Sequence, residues 1–174
     1  MAEKRRSDVE RPHLWGIKPG EAAETGAYVS DELGWWFTGL VDGEGCFSIS
    51  TNKAQFIVAM RLDDRPMIER IREDLGGIGS LYVKDKLAEA PRRPGIRWEV
   101  VKRDEVLWLT RFFDFFELRS KKRRDYEIWR EAVIDWYCSG SPAVFEQYIV
   151  PIKQARKYRE PDDGQAISNP VFGI

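Results

Sequence analysis

The sequence predicts an α+β domain with elements in the order αββαββα, an antiparallel β-sheet covered on one face by helices, and an extra C-terminal helix. Three observations carry this expectation. A proline-free stretch that is apolar on several faces occupies residues 31–45. Period-two alternation recurs in four short segments, and Gly, Asp and Pro punctuate the chain between them.

Residues 1–29 mix charges with Pro12, Pro19 and several glycines, without either period, and read as a leader that His13, Leu14 and Trp15 could anchor. Order begins at Ser30, an N-cap residue type, and Asp31 and Glu32 suit the first helical turn. DELGWWFTGLVDGEG then reads as a buried helix. In CFSIS, Phe47 and Ile49 alternate with Cys46, Ser48 and Ser50, as in a half-buried strand. After a turn at Thr51-Asn52-Lys53, AQFIVAMRL completes a hairpin. Asp63 or Asp64 caps a helix with Pro66 in its first turn and MIERIREDL as its body, ended by Gly76 and Gly77. SLYVK and IRWEVV alternate again, with KLAEAPRRPG as the loop between them. Asp104 opens a helix through LWLTRFFDFF, KKRRDYEIWREAVIDWY forms a longer one, and residues 143–158 form a last helix before a Pro/Asp/Gly-rich end. The expected division is a leader at 1–29, a domain at 30–140 and a helical extension and tail at 141–174.

Composition bounds the function. Among 174 residues, 28 Lys plus Arg face 29 Asp plus Glu, a net charge of −1 with a pI near 6.0. With 43% hydrophobic and 13% aromatic residues the chain can build a packed core, which excludes wholesale disorder. No apolar run reaches the roughly 18 residues of a membrane span, and MAEKRRSDVE lacks an apolar signal region. The expectation is an intracellular, cytoplasmic protein with no membrane partner, an organellar origin staying open. Cys46 and Cys138 make neither a disulfide scaffold nor a zinc site. The single histidine, His13, leaves Ser-His-Asp or Cys-His chemistry only one residue, and it lies in the leader.

The chemistry concentrates in GLVDGEG. Gly39 and Gly43 stand four apart on one helical face, where the lack of side chains lets a second helix approach closely. Glu44 follows at the end of that helix. If the helix packs against a copy of itself about a twofold axis, two Glu44 carboxylates meet at the axis. Two such charges roughly 4 Å apart repel by about 4 kcal/mol at an effective dielectric near 20 unless cations hold them. Hard divalent ions such as Mg²⁺ take carboxylate ligands jointly with phosphates. Taken alone, the same residues also fit a plain helix end with an exposed glutamate.

FTGLVDGEG, residues 37–45, resembles the nine-residue motif of the LAGLIDADG homing endonucleases. Gly39, Leu40, Asp42 and Gly45 are identical to it, Val41 and Glu44 are conservative replacements, and Phe37, Thr38 and Gly43 depart from it. The resemblance continues through CFSIS, RLDDRPMIERI, LGGIGSLYV, RWEV and FFDFFELRSKKRRDYEIW, in the order of elements derived above. It implies the LAGLIDADG homing endonuclease fold, with the sheet shaped as a saddle. One motif copy in a chain too short for two such domains implies a homodimer, with Trp35, Trp36, Gly39, Leu40 and Gly43 at the interface. Glu44 is then the ligand of the catalytic metals, with the Gly43 carbonyl beside it. Mg²⁺ or Mn²⁺ is the implied cofactor, and Ca²⁺ is expected to bind without supporting cleavage. Asp42 is expected to accept backbone hydrogen bonds at helix ends. A basic residue bordering the metal site falls on Lys121 or Lys122, with Lys122 preferred, and Arg61 falls near a polar pocket position or on a phosphate contact. The implied activity is hydrolysis of one phosphodiester in each DNA strand by metal-activated water, across the minor groove, leaving 3′ overhangs in a long, partly palindromic site. HNH and His-Cys-box sites, which need several histidines, are excluded by His13 standing alone.

The alternation also separates two sheet faces. Phe47, Ile49, Phe56, Val58, Leu81, Val83, Trp98 and Val100 form the face that helices cover. Ser48, Ser50, Asn52, Gln55, Ile57, Arg61, Ser80, Tyr82, Lys84, Arg97 and Glu99 form the other. A solvated sheet would carry the same residues; the resemblance makes this face a reader of the major groove of double-stranded DNA. Arg and Lys then suit guanine, Asn52 and Gln55 adenine, and Glu99 cytosine, while Lys53, Lys86, Arg92 and Arg93 suit phosphates. At the cut site, selectivity would come from the cost of bending DNA. The alternatives are an RNA maturase, with host intron RNA as partner, and a non-cutting LAGLIDADG-derived DNA-binding protein. An acidic Glu44 favours cutting, and no helix-turn-helix extension is evident. Residues 141–174 carry Lys153, Arg156, Lys157 and Arg159, which fit either a phosphate contact or a partner-binding appendage. Cations gather at 119–124, around Arg92 and on the polar sheet face, so the balanced total is compatible with local neutralisation of phosphates.

Overall fold

A computed structural model describes residues 29–84 and 94–157. The expectations for the leader up to residue 28, for Lys86, Arg92 and Arg93, and for the tail from residue 158 lie outside the described residues. Helix α1 (Asp31–Glu44) begins where Ser30 accepts a hydrogen bond from Leu33 N at 3.2 Å, with Asp31 and Glu32 in its first turn. It runs directly into strand β1 (Gly45–Ser50). A Cβ at Gly45 would lie 2.5 Å from Val41 Cγ1 and 2.8 Å from Val41 O, so this tight corner admits only glycine.

A two-residue turn leads to β2 (Lys53–Arg61) and a 3₁₀ turn at Leu62–Asp64 leads to α2 (Arg65–Asp74). Neither aspartate caps α2 through its side chain, contrary to the sequence expectation. Arg65 N–H instead finds Leu62 O within the 3₁₀ turn, and Asp63 pairs with Arg61. Helix α2 ends at Gly76 and Gly77, with φ of 80° and 74°, and Gly77 N donates to Arg72 O at 2.7 Å. This backward bond closes the last helical turn and requires the left-handed conformation that glycine adopts freely.

Strands β3 (Ser80–Lys84) and β4 (Gly95–Val100) complete one sheet of order β1-β2-β4-β3, antiparallel throughout. Helices α3 (Arg103–Phe115), α4 (Lys122–Ser139) and, after a 3₁₀ turn at Pro142–Phe145, α5 (Glu146–Ala155) follow. The last helix is therefore shorter than the span 143–158 read from the sequence.

Register places Phe47 opposite Phe56, and Val58 opposite Trp98, on the covered face. There Phe37 of α1 meets Phe56, Trp98, Phe112 and Phe113 with ring centroids 5.5–6.2 Å apart, and all five are buried. Tyr126 and Trp129 of α4 extend this layer onto Phe47. Aromatic pairs of this kind contribute about 0.5–1.5 kcal/mol beyond their area burial. Helix α4 is locked to α3 by polar contacts as well. Tyr126 Oη donates to Thr110 O and to Asp114, each at 2.7 Å, and Arg130 pairs with Asp114 at 2.7 Å. Burial holds the Tyr126 phenol well above its ordinary pKa.

One expectation for the covered face fails: Val83 is 43% exposed. Strand β3 is the outer strand, paired only with β4, and the helical layer does not reach over its end. Among the described residues, no helix is long and apolar enough to cross a membrane.

Helices α1 and α3 meet at Gly34, where a Cβ would stand 2.2 Å from the Phe116 ring. Phe116 is fully buried against Trp35, Phe112 and Phe115, so it has no room to turn aside. Gly34→Ala should therefore lower unfolding stability by about 1–3 kcal/mol in urea titration, even though alanine is the better helix former.

Candidate functional site

Packing of α1 on the sheet decides which of its residues are free. Gly34, Phe37, Thr38 and Val41 are buried, whereas Glu32, Trp36, Gly39 and Gly43 lie on the opposite side. A Cβ at Gly39 or Gly43 would meet nothing within 4 Å, and Trp36 is 48% exposed. Trp35 sits between the two sides, edge-on to Phe116 with the Arg119 guanidinium 5.5 Å from its ring. An open cleft of about 480 Å³ beside Gly39 is lined by Trp35, Thr38, Asp42, Glu117 and Arg119.

Glu44, the last residue of α1, is exposed and accepts no hydrogen bond from the described residues. The neighbouring Asp42 accepts from Arg119 N and Ser120 N, both at 3.0 Å. The sequence expectation that Asp42 accepts backbone hydrogen bonds is met, but its donors belong to the lead-in of α4 rather than to α1. Ser120 strengthens the joint: its hydroxyl donates to Asp42 O at 3.4 Å and accepts from Lys122 N at 3.2 Å. Sequence reading missed Ser120, although a serine two residues before a helix is a recognisable capping signal.

This joint brings Lys122 onto the end of α1. Its Nζ donates to Val41 O at 3.2 Å and also to Gly43 O. Burial lowers the Lys122 pKa, while Glu44, the largest opposing influence, followed by Cys46, Asp42 and Asp125, favours the charged form. Lys121 is exposed and makes none of these contacts. Arg61 is exposed and held by Asp63, its Nε 3.1 Å from Oδ1, with no bond to Glu44 or Lys122.

As a site for a divalent cation, this corner offers hard oxygen donors of the right kind but too few of them. The donors are the Glu44 carboxylate and the Gly43 carbonyl, and the carbonyl already accepts from Lys122. Among the described residues, no group of three acidic, Cys or His side chains could enclose a metal by itself. A Mg²⁺ ion takes one or two carboxylates and fills its remaining positions with phosphate oxygens and water, so these donors alone would hold one only with oxygens from outside the chain.

The open face of the sheet carries the polar set in rows. Cys46, Ile57, Glu99 and Ser80 lie side by side across the four strands, and Ala59, Arg97 and Tyr82 form the next row. Ser48 faces Gln55, Ser50 faces Lys53, and Asn52 caps the hairpin by pairing with Ser50. Glu99 sits at the centre, 3.2 Å from Lys53 Nζ and 3.4 Å from an Arg97 guanidinium nitrogen. Lys53 thus opens β2 on the sheet face instead of standing at the loop tip. Gln55 Oε1 and Arg97 Nε are buried without a partner among the described residues. Tyr82, Lys84 and Arg61 are exposed toward the far side of the sheet.

A family model described as LAGLIDADG endonuclease matches residues 37–133, more than half of the chain. The chain belongs to the LAGLIDADG endonuclease family. It is 29% identical over 108 residues to the probable intron-encoded endonuclease Cox1-I1b of Schizosaccharomyces pombe, covering 57% of this chain and 26% of that protein. Among solved structures, the meganuclease I-AabMI bound to uncleaved DNA superimposes with a TM-score of 0.56 at 24% identity, over 70% of this chain and 42% of that one. The homing endonuclease I-TnaI gives a TM-score of 0.53 at 21% identity, over 69% of this chain and 82% of that one. The chain thus spans about a quarter of the Schizosaccharomyces pombe relative and less than half of I-AabMI. These likenesses establish the α+β LAGLIDADG fold expected from the sequence.

The Asp42 joint yields a direct expectation. Asp42→Ala removes an acceptor shared by two backbone N–H groups and should cost about 1–2 kcal/mol in chemical denaturation, comparable to losing a helix cap. An unchanged midpoint would contradict the structural weight given to this contact.

Proposed function

We propose that this chain is a homodimeric, divalent-metal-dependent DNA endonuclease that cuts both strands of a long, partly palindromic site. The observation that carries the reading is the exposed Glu44 carboxylate, without a hydrogen-bonding partner among the described residues, at the end of a glycine-faced helix and electrostatically coupled to Lys122. A carboxylate kept free at such a place suits a ligand brought from outside the chain. Family membership, the DNA bound by several structural neighbours and the polar sheet face support the same reading.

In this proposal two α1 helices pack through Gly39 and Gly43 about a twofold axis, with Trp35, Trp36 and Leu40 at the flanks. The cleft beside Gly39 leaves room for side chains of the second copy. The covered share of 82% in I-TnaI leaves little space for a second such unit there, whereas 42% of I-AabMI leaves ample space. In this reading, pairing of two copies of the unit completes the site.

Glu44 and the Gly43 carbonyl are the groups that would hold a divalent cation. Mg²⁺ or Mn²⁺ bound there would supply Lewis acidity toward the phosphate and acidify water, with Ca²⁺ supporting binding alone. Lys122 presents its ammonium beside this point and offsets negative charge that builds on the phosphate oxygens. The cut falls across the minor groove and leaves 3′ overhangs. The sheet face reads the major groove through Ser48, Ser50, Asn52, Gln55, Ile57, Arg61, Ser80, Tyr82, Lys84 and Arg97. Glu99 enters this set already paired with Lys53 and Arg97, so it orients those cations as well as offering an acceptor. The alternative of an intron RNA maturase or non-cutting binder leaves the free Glu44 without a task.

Glu44→Gln should abolish Mg²⁺-dependent cleavage of a duplex spanning the joined sequences that flank the reading frame, while binding measured in Ca²⁺ stays within about threefold. Undiminished cleavage would remove Glu44 from the mechanism.

Gly39→Leu adds a side chain to the bare face without touching the fold. It should shift the protein from dimer to monomer in sedimentation analysis, with circular dichroism unchanged. A wild-type protein that sediments as a monomer at micromolar concentration and on its DNA would overturn the dimer.

A further inference from the structure

Helix α5 lies beyond the residues matched by the family model, which ends at Val133. It doubles back along α4, anchored by the buried Phe145 and Ile152, by the Trp136–Phe145 contact at 5.2 Å and by Asp135, which accepts from Gln147 and Tyr148. Its C-terminal end therefore returns to the N-terminal turn of α4, where Arg156 Nε stands 3.5 Å from Asp125 Oδ2. The pair is partly withdrawn from water, with side chains 17% exposed for Asp125 and 33% for Arg156.

That turn holds Lys121, Lys122, Arg123 and Arg124, and Asp125 is its one acidic residue. Lys122 and Asp125 are three apart on the helix, a spacing at which opposite charges pair. Yet Lys122 Nζ points the other way, onto Val41 O and Gly43 O. Burial raises the Asp125 pKa, and Arg156 is the strongest of the cations opposing this, ahead of Lys122 and Lys121.

We propose that Arg156 is a positioning residue: by occupying Asp125 it removes the competing partner of Lys122 and leaves that ammonium committed to the Glu44 end of α1. The helix outside the matched region thereby sets the geometry of the site without touching substrate. The inference rests on the nuclease role given above to Glu44 and Lys122, but its geometric part does not.

The test uses the full chain and three variants: Arg156→Ala, Arg156→Lys and the double change Asp125→Asn with Arg156→Ala. With DNA saturating and Mg²⁺ present, Arg156→Ala should slow single-turnover cleavage about tenfold while Kd in Ca²⁺ and the melting temperature hold. Arg156→Lys should restore most of the rate, and so should the double variant, because the neutral amide that replaces the Asp125 carboxylate no longer attracts Lys122. A double variant as slow as Arg156→Ala would overturn the proposal. So would a weakened Kd with an unchanged rate, which would make Arg156 a phosphate contact instead. A crystal structure of Arg156→Ala without DNA gives a second measure that needs no cleavage. Lys122 Nζ should move toward Asp125, and its staying on Gly43 O would refute the positioning role. If the wild type cuts no DNA, the nuclease reading fails while this crystallographic outcome still decides the placement of Lys122.

Discussion

Phe37 lies fully buried among Phe56, Trp98, Phe112 and Phe113, and its burial sets the rotation of α1 about its own axis. A helix committed to one face by an aromatic side chain of this size presents the opposite face to its surroundings, since side chains four apart stack on one side. Gly39 and Gly43 are therefore turned outward, and Glu44 emerges at the end of that bare stripe. Gly34 lets α1 come close enough to α3 for the arrangement to close, with the Phe116 ring filling the place of a side chain. Misplacing Phe37 would rotate the glycines inward and displace the carboxylate.

The second determinant is polar. Asp42 shares its two oxygens between Arg119 N and Ser120 N, which ties the motif helix to the lead-in of α4. That bond spans residues far apart in the chain and brings a cation, Lys122, to a carbonyl beside Glu44. The helical layer and the sheet thus carry different parts of the proposed function. The aromatic layer holds Glu44 at the end of α1, while the alternate strand residues face away from it.

The net charge of −1 conceals this division. Salt bridges absorb many charges locally, as in Arg65 with Glu69 and Arg70 with Asp74 on α2, pairs that contribute little stability at the surface. In the proposed function, the cations of 119–124 and of the sheet face are the ones set against a phosphate backbone. Affinity for nucleic acid depends on such local neutralisation rather than on the total.

Much of the fold was legible because its signals are local. Alternation in CFSIS and IRWEVV, the Ser30 cap and the glycines after α2 each act within a few residues, and the strands and helices fall where they indicate. The misreadings have equally physical sources. Val83 alternates correctly but lies on the outer strand, beyond the reach of the helices. Asp63 and Asp64 are cap-type residues whose work a 3₁₀ turn had already taken over. The motif itself determined that Glu44 ends a glycine-bearing helix, because spacing along one helix is a property of the chain. Which of Lys121 and Lys122 meets that helix end was decided only by tertiary structure. The two are neighbours in sequence but point in different directions from α4, and just one turns toward Val41 and Gly43 once Asp42 has docked the lead-in. The Asp125–Arg156 pair is of the same kind: it joins residues of different helices, and no period within either one announces it.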